Sequence, residues 1–518
     1  MDMKTVPSAG TVEHWAAIKP DETAVIDGDV ALTWQALNRA ADELAQGLGS
    51  RGIKAGDVVA LRMQVRSEWA IASVALAKLN AMLVGVNWRL TPSEVQYVLQ
   101  DSQARALLCD DRDPTLLSGV LDEIGLGVRI SLDAQAEGFE RLQDVMDGAA
   151  EPLYSRGDAA LIVYTSGTTG KPKGVAMAHS QRADDVELLE YLQDLQGGPR
   201  SCQQDDVVLV SMPLHHGSGP GQIRSGLRAG CRLILQRRFE PEDTLASIQK
   251  HGVTRWTGVP TMYKRIAALP PEVLVRYDVS SLRAITIGAA PVSDGMKTWI
   301  VDYFGKILGE GYGSTETGIV SVMPPEMILH KPGSSGRLLK HVHVEVRDIE
   351  GKILPPDEVG ELWIRTPVVI RQYLNRPELG RDVLDERGFF SSGDMGRLDQ
   401  DGYLYITDRS KDMIISGGVN IYPAEIEAAL TSHPAVMDAA VIGIPDAEFG
   451  ESVKAFCELK PGRAVTGQEL LAHCSQELAS YKRPKSIDIV NELPRNAMGK
   501  LLKRELREPF WKNQERKV

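Results

Sequence analysis

Cysteine is scarce in this chain and never clustered. Five occur in 518 residues, Cys109, Cys202, Cys231, Cys457 and Cys474, and no two form a Cys-x-x-Cys pair. A disulfide framework and a thiolate zinc site are therefore not expected, and a reducing, cytoplasmic setting is. Positive charge is also short, with 58 Lys and Arg against 70 Asp and Glu and a net charge of −12. Nucleic-acid binding needs clustered Lys and Arg, so no nucleic-acid partner is expected. No uncharged apolar run approaches the roughly 18 residues of a membrane span, so no transmembrane segment is expected. The start, MDMKTVPSAGTVEHW, lacks the apolar stretch of a secretory signal. Two catalytic signatures are missing as well. No Walker-type phosphate loop occurs, which disfavours a P-loop NTPase or ordinary phosphotransferase. No Gly-x-Ser-x-Gly elbow occurs, which disfavours a serine hydrolase.

What remains is an ordinary globular composition, 43% hydrophobic and 25% charged. At about 150 residues per domain the length predicts three to four compact units. Glycine, 48 residues, is slightly enriched. The first third alternates helix and strand patterns: a helix after a Thr33 cap, a strand at 58–61, helices at 68–81 and 93–99, and a strand at 106–109. Further βα units follow through 309, which predicts a mostly parallel sheet with covered faces. From 333 to 398 short strands separated by turns predict an antiparallel, barrel-like part. The last 110 residues or so read as a small α+β unit beginning near Asp408, ending in a basic, solvated helix.

Five segments carry chemistry. In YTSGTTGKPKGV (164–175) three glycines, four hydroxyl side chains and two lysines follow a buried strand. Glycine lets backbone N–H groups cradle phosphate, and Lys171 and Lys173 add positive charge. In GEGYGSTETG (309–318) Tyr312 stands between glycines, where its ring can lie against a flat ligand, and Glu316 offers a carboxylate to Mg²⁺. Alone, that segment also reads as a plain glycine-rich loop. In FFSSGDMG (389–396) Asp394 can accept two ribose hydroxyls or be a turn residue. DRSKDMIISGGVNIYPAEIE (408–427) lies at the proposed boundary, and LPRNAMGKLLKREL (493–506) carries Lys500, which alone reads as a surface charge.

Taken together, in order and over the whole chain, these segments resemble the adenylate-forming superfamily: acyl- and aryl-CoA synthetases, peptide-synthetase adenylation domains and beetle luciferases. The resemblance implies an α/β fold. A large N-terminal domain, 1–407, would hold the ATP and acyl sites. A small mobile α+β domain, 408–518, would carry the hinge, Lys411, and the catalytic lysine, Lys500. It also implies the nucleotide contacts. Thr165, Ser166, Gly167, Thr168, Thr169, Gly170, Lys171 and Lys173 cradle the triphosphate. Gly288, Ala289, Ala290 and Pro291 lie along adenine, with Gly311, Tyr312 and Gly313 on its other face. Thr315 contacts the α-phosphate, Glu316 holds Mg²⁺, and Asp394 and Arg409 hold the ribose. Ser416, Gly417 and Gly418 approach in the thioester-forming state.

By the same likeness His216 lines the acyl site, with His215 in a position that is often aromatic. Gly217, Trp256, Thr257, Gly288, Gly311, Gly313, Gly318 and Ile319 complete the pocket by position relative to the motifs. Its small residues predict a sizeable apolar carboxylic acid, long-chain or cyclic. The implied reaction is two-step: carboxylate and ATP to acyl-AMP and pyrophosphate, then acyl-AMP and coenzyme A to acyl-CoA and AMP. A carboxylic acid, ATP and CoA are the expected partners, with Mg²⁺, and a homo-oligomer is left open. The chain stops shortly after Lys500, so no attached carrier domain is expected. The alternatives are a stand-alone enzyme that loads a carrier protein and a non-catalytic nucleotide-binding homologue. Retention of Lys500, Glu316 and the loop lysines speaks against the latter.

Overall fold

Val58–Arg62, Ala104–Cys109 and Ala160–Thr165 carry nearly continuous apolar runs, the pattern of parallel strands covered on both faces. The computed structural model describes residues 7–148, 150–155, 157–165, 172–177, 185–197, 201–290, 292–376, 383–417, 419–496 and 499–512. In it these runs lie in a seven-stranded sheet, with Met82–Gly85 between Val58–Arg62 and Ala160–Thr165. All its neighbours run parallel except the last pair. There Lys173–Met177 returns antiparallel to Ala160–Thr165 across the glycine-rich loop.

A second sheet has thirteen strands among the described residues. Its parallel part contains Arg232–Leu235, Val207–Val210, Arg255–Gly258, Ala284–Gly288 and Leu308–Ser314. Strand direction reverses at the turn after Ser314, and Gly318–Met323 pairs back antiparallel. The short strands between 336 and 409 continue this sheet edge to edge, where the sequence suggested a barrel-like part. The two sheets share one core. Leu61, Leu83 and Leu108 from the first and Val208, Val210 and Leu233 from the second pack on Leu37, Leu44, Trp69 and Leu76 of two intervening helices. The first of these, Trp34–Ser50, starts at the expected cap, where the Thr33 hydroxyl accepts from the Ala36 amide.

A third, five-stranded sheet begins at Ile414, just after Tyr403–Arg409 ends in the large sheet. Helices Pro423–Ser432 and Gly467–Glu477 cover it around a separate apolar core. The final helix, Lys503–Trp511, departs from the solvated reading. Lys503 pairs with Glu427 at 2.8 Å, Trp511 Nε1 donates to the Gly443 carbonyl at 3.0 Å, and Leu506 packs beside Ala440 and Ile442. Its charges mislead because two of the basic side chains, Lys503 and Arg507, turn inward onto acidic partners. No helix among the described residues is long and apolar enough to cross a membrane.

Candidate active site

Thr165, Val210, Gly258, Gly288 and Ser314 all end strands that run in the parallel direction. In open α/β sheets the carboxyl ends of such strands form the ligand crevice, because side chains and loop amides there are free to face outward. The motif residues lie at this rim. Gly288 and Gly311 are directly opposed in register. Beyond Gly288 the chain turns through Ala289 at φ 68°, left-handed backbone that costs a non-glycine residue about 1 kcal/mol or more.

One cluster is centred on Asp394, buried to 4% exposure. It is opposed to Arg409 in the antiparallel pair of Phe390–Leu398 and Tyr403–Arg409. Arg409 Nε lies 2.7 Å from Oδ1, and the Tyr312 hydroxyl donates to Oδ2 at 2.6 Å. Burial and the facing carboxylate hold the Tyr312 phenol well above its ordinary pKa, so it stays a neutral donor. Three residues from separate motifs thus form one polar knot.

A second cluster gathers around Glu316. The Thr165 hydroxyl donates to Glu316 Oε1 at 3.0 Å, and the Tyr373 hydroxyl reaches the same oxygen at 3.4 Å. The Lys173 ammonium sits 4.8 Å above the Tyr373 ring. The end of the phosphate-loop strand, the strand after the loop and the acidic residue of the second motif are therefore neighbours. A carboxylate flanked by hydroxyls is a hard oxygen set that fits Mg²⁺, whose remaining positions phosphate and water fill. The turn carrying Thr315 and Glu316 is tied at its base. The Thr317 amide donates to the Ser314 hydroxyl at 3.1 Å, the Ser314 amide donates to the Thr317 hydroxyl at 3.2 Å, and Thr366 Oγ1 donates to the Thr317 carbonyl at 2.7 Å. Tyr373 had no sequence signal. The Ser314-x-x-Thr317 spacing is the sequence signal of this local hydroxyl capping.

Lys500 arrives from the third sheet. Its loop is a tight hairpin: the Asn496 amide donates to the Lys500 carbonyl, and the Lys500 amide donates to Asn496 Oδ1 at 3.0 Å. Desolvation, with Arg409 and Lys411 nearby, lowers the Lys500 ammonium to about 8, opposed by Asp394 and Asp412. The lysine of the last motif thus lies within electrostatic reach of Asp394 and Arg409. Lys411 lies in the short turn Ser410–Asp412 between the second and third sheets, and desolvation lowers its pKa too. Arg507 grips that turn through Asp412 at 2.5 Å. Ser416 and Gly417 belong to a hairpin whose contacts run to Phe449 and Gly450 of its own sheet. Ser166 through Lys171, Pro291 and Gly418 lie outside the described residues.

At the expected acyl site, His215 is buried and neither ring nitrogen has a hydrogen-bond partner among the described residues. His216, 4.4 Å away between ring centroids, is only half-buried. Burial drives His215 to about 3 and His216 to about 4, so both imidazoles are neutral near pH 7. Gly217 follows them and caps the helix Ser218–Ala229. Thr257 Oγ1 and Thr286 Oγ1 lie 2.6 Å apart. The Tyr191 hydroxyl donates to the Ile319 carbonyl at 2.8 Å and accepts from the Ile319 amide at 3.0 Å.

Two acyl-site expectations need correction. Trp256, 1% exposed, does not line the pocket. Period-two alternation turns it away from Thr257 into a cluster with Tyr263, Phe304 and Phe239, and its indole donates to Ser211. At Gly313 and Gly318 the missing side chain does not open space, because the direction a Cβ would take is already filled. A Cβ on Gly313 would lie 2.1 Å from the Gly318 carbonyl oxygen, and one on Gly318, at φ 71°, 2.4 Å from Val368. The paired strand's backbone fills the space beside Gly313, and the Val368 side chain with left-handed backbone accounts for Gly318, so neither missing side chain is a measure of acyl size.

The sequence pattern of the family described as AMP-binding enzyme matches residues 12–374, and that of the AMP-binding enzyme C-terminal domain matches 425–500. A feruloyl-CoA synthase of an Amycolatopsis species is 36% identical over 501 residues, covering 96% of this chain and 97% of that protein. The fatty acid–[acyl-carrier-protein] ligase ScoC of Streptomyces coeruleorubidus is 33% identical, covering 98% and 97%. O-succinylbenzoate coenzyme A synthetase of Bacillus subtilis, solved with ATP and magnesium ion, superposes with a TM-score of 0.79 at 30% identity, covering 96% and 98%.

Proposed function

We propose that this chain, which belongs to the AMP-binding enzyme family, is an ATP-dependent carboxylate–CoA ligase that works through an acyl-adenylate. The observation that carries this reading is convergence. Asp394, Arg409 and Tyr312 form one knot, Glu316 and Thr165 form another, and Lys500, from the smaller unit, lies within electrostatic reach of the first.

A carboxylate activates poorly because its leaving group would be oxide. Transfer to the α-phosphorus of ATP replaces oxide with AMP and expels pyrophosphate. Asp394 and Arg409 hold the ribose, while Tyr312 and the Gly288–Ala290 edge flank adenine. The loop amides with Lys173 and Lys171 receive the β- and γ-phosphates. Thr315 donates to an α-phosphate oxygen, and Lys500 bridges that phosphate and the attacking carboxylate. Charge builds on those oxygens in the transition state, where preorganised donors act most strongly. Glu316, beside the Thr165 hydroxyl, would hold Mg²⁺, which would supply neutralisation of phosphate charge.

In this reading, residues 1–407 form the larger body and 408–518 the smaller, with Asp408 and Arg409 still paired in the large sheet and the hinge beyond them at Lys411. Rotation there withdraws Lys500 and brings Ser416, Gly417 and Gly418 to the site, so that a thiol can reach the anhydride. His216, half-open beside buried His215, lines the acyl channel with Gly217, Thr257, Gly288, Gly311 and Ile319. Its neutral imidazole and the bound Tyr191 hydroxyl support an apolar acyl group, long-chain or cyclic, over a second carboxylate. Cytoplasmic localisation fits the reduced cysteines.

The second reading, transfer to a carrier protein, draws on the ScoC likeness. Pyrophosphate and AMP release across a carboxylic-acid panel tests both readings, with ATP, Mg²⁺ and either CoA or phosphopantetheinylated carrier. AMP release with CoA supports the first, release with carrier alone supports the second, and no release with either overturns both.

A further inference from the structure

Lys500 works only while its loop is held against the large body, and one set of contacts crosses between the two. Helix Pro260–Ala267 belongs to the large sheet's outer layer. Two of its side chains, Thr261 and Lys264, three residues apart and so on one face, meet the small unit. Gly499 at φ 71° lies so close that a Cβ there would come within 2.3 Å of Thr261 Oγ1. Lys264 Nζ lies 2.7 Å from Asp438 Oδ1. Asp438 stands beside a register shift in the strand Val436–Asp446, an irregularity that re-aims side chains. It is 8% exposed. Its other oxygen takes Arg495 at 2.6 Å, and Arg495 also donates to the Gly499 carbonyl at 3.1 Å. Arg495 and Leu501 bridge across the base of the Lys500 hairpin. An unbroken chain of charge therefore runs from the large body through Asp438 and Arg495 to the residue before Lys500.

We propose that Lys264 is a positioning residue that latches the Lys500 loop for adenylate formation through Asp438 and Arg495. This rests on the ligase reading above. The Asp438–Arg495 pair lies wholly within the small unit and travels with it. The Lys264–Asp438 pair spans the two bodies, so rotation about Lys411 that withdraws Lys500 must break it. The latch thus acts on the first half-reaction and is released for the second. Because Lys264 retains partial solvent contact, opening leaves it hydrated, and the latch can be made and broken each turnover.

The test is Lys264→Met, which keeps length and removes charge, beside Lys264→Arg, which keeps charge. ATP–pyrophosphate exchange should fall about fivefold in Lys264→Met, the upper end for one partly exposed charge pair, and return towards wild type in Lys264→Arg. Thioester formation from supplied acyl-adenylate should hold at the wild-type rate, which also reports a folded enzyme. Equal loss in both half-reactions, no loss in either, or no recovery with Arg overturns the latch. Hydrogen exchange of the Gly499, Lys500 and Leu502 amides in the full-length free enzyme reads it without any substrate. Faster exchange in Lys264→Met supports the latch, and unchanged exchange overturns it. An inactive wild type with that acceleration overturns the ligase reading alone.

Discussion

The nucleotide-facing residues and the Lys500 loop are held in opposite ways. Asp394 faces Arg409 because two adjacent strands of one sheet place them in register, and Gly288 faces Gly311 for the same reason. Moving either pair means tearing a sheet. The Lys500 loop is held by side chains: Arg495 within its own unit, Lys264 across the gap, and Thr261 packed against Gly499. Those contacts can open without loss of any strand pairing. The residues proposed to bind ATP are built into the scaffold, and the lysine proposed to act in one half-reaction rests on contacts of a strength suited to release.

That contrast can be tested from both ends. The largest effect is expected at Lys500. Lys500→Ala should lower pyrophosphate exchange by about 10²–10³-fold, the cost of one lost electrostatic stabiliser, yet leave thioester formation from supplied adenylate intact. Equal damage to both steps would mean that the loop is not specific to one of them. On the fixed side, Asp394→Ala should reduce kcat/KM for ATP by about 10–100-fold, the worth of hydrogen bonds to a charged group, with little further effect on the thioester step. Normal ATP affinity by titration would remove Asp394 from the ribose site.

Smaller effects test the scaffold itself. Gly318→Ala must fit a Cβ against Val368 in left-handed backbone, and about 1–3 kcal/mol of stability should be lost in denaturant titration. A wild-type midpoint would show that the turn has slack. The pH dependence falls on the mobile side. Lys500, lowered to about 8, is charged below that pH and neutral above it. The kcat/KM of adenylate formation should therefore decline as pH rises through about 8, and Lys500→Arg should abolish that limb. An identical limb in the Arg variant would assign it to another group. Last, Ser314→Ala removes one tie of the turn bearing Glu316 and should cost about 1 kcal/mol, read as a lowered melting temperature.

Much of this was legible in advance, for physical reasons that differ by element. Helix Trp34–Ser50 and strand Val58–Arg62 fall where their patterns predict, because burial on one or both faces writes itself into side-chain spacing. Trp256 was misplaced because period-two alternation says that neighbours face opposite ways but not which face borders the ligand. The glycines at 313 and 318 misled because a missing side chain reads alike whether a substrate, a paired strand or a neighbouring side chain such as Val368 fills the gap. The basic tail misled because a charge count does not reveal that Glu427 and Asp412 wait across the sheet.

The linear chain by itself determined the inventory: which residue types could cradle phosphate, meet Mg²⁺ or bridge a carboxylate, and that they occur in one order. These are local facts of side-chain chemistry and backbone freedom, carried by short segments. Only the tertiary structure decided what meets what. Asp394 and Tyr312 are 82 residues apart, Thr165 and Glu316 are 151 apart, and each pair is within hydrogen-bonding distance. Lys264 and Asp438 carry no motif, and their pairing exists only because two separately packed cores come into contact. Sequence spacing cannot encode such a meeting, since it depends on the summed packing of both bodies rather than on any segment within them.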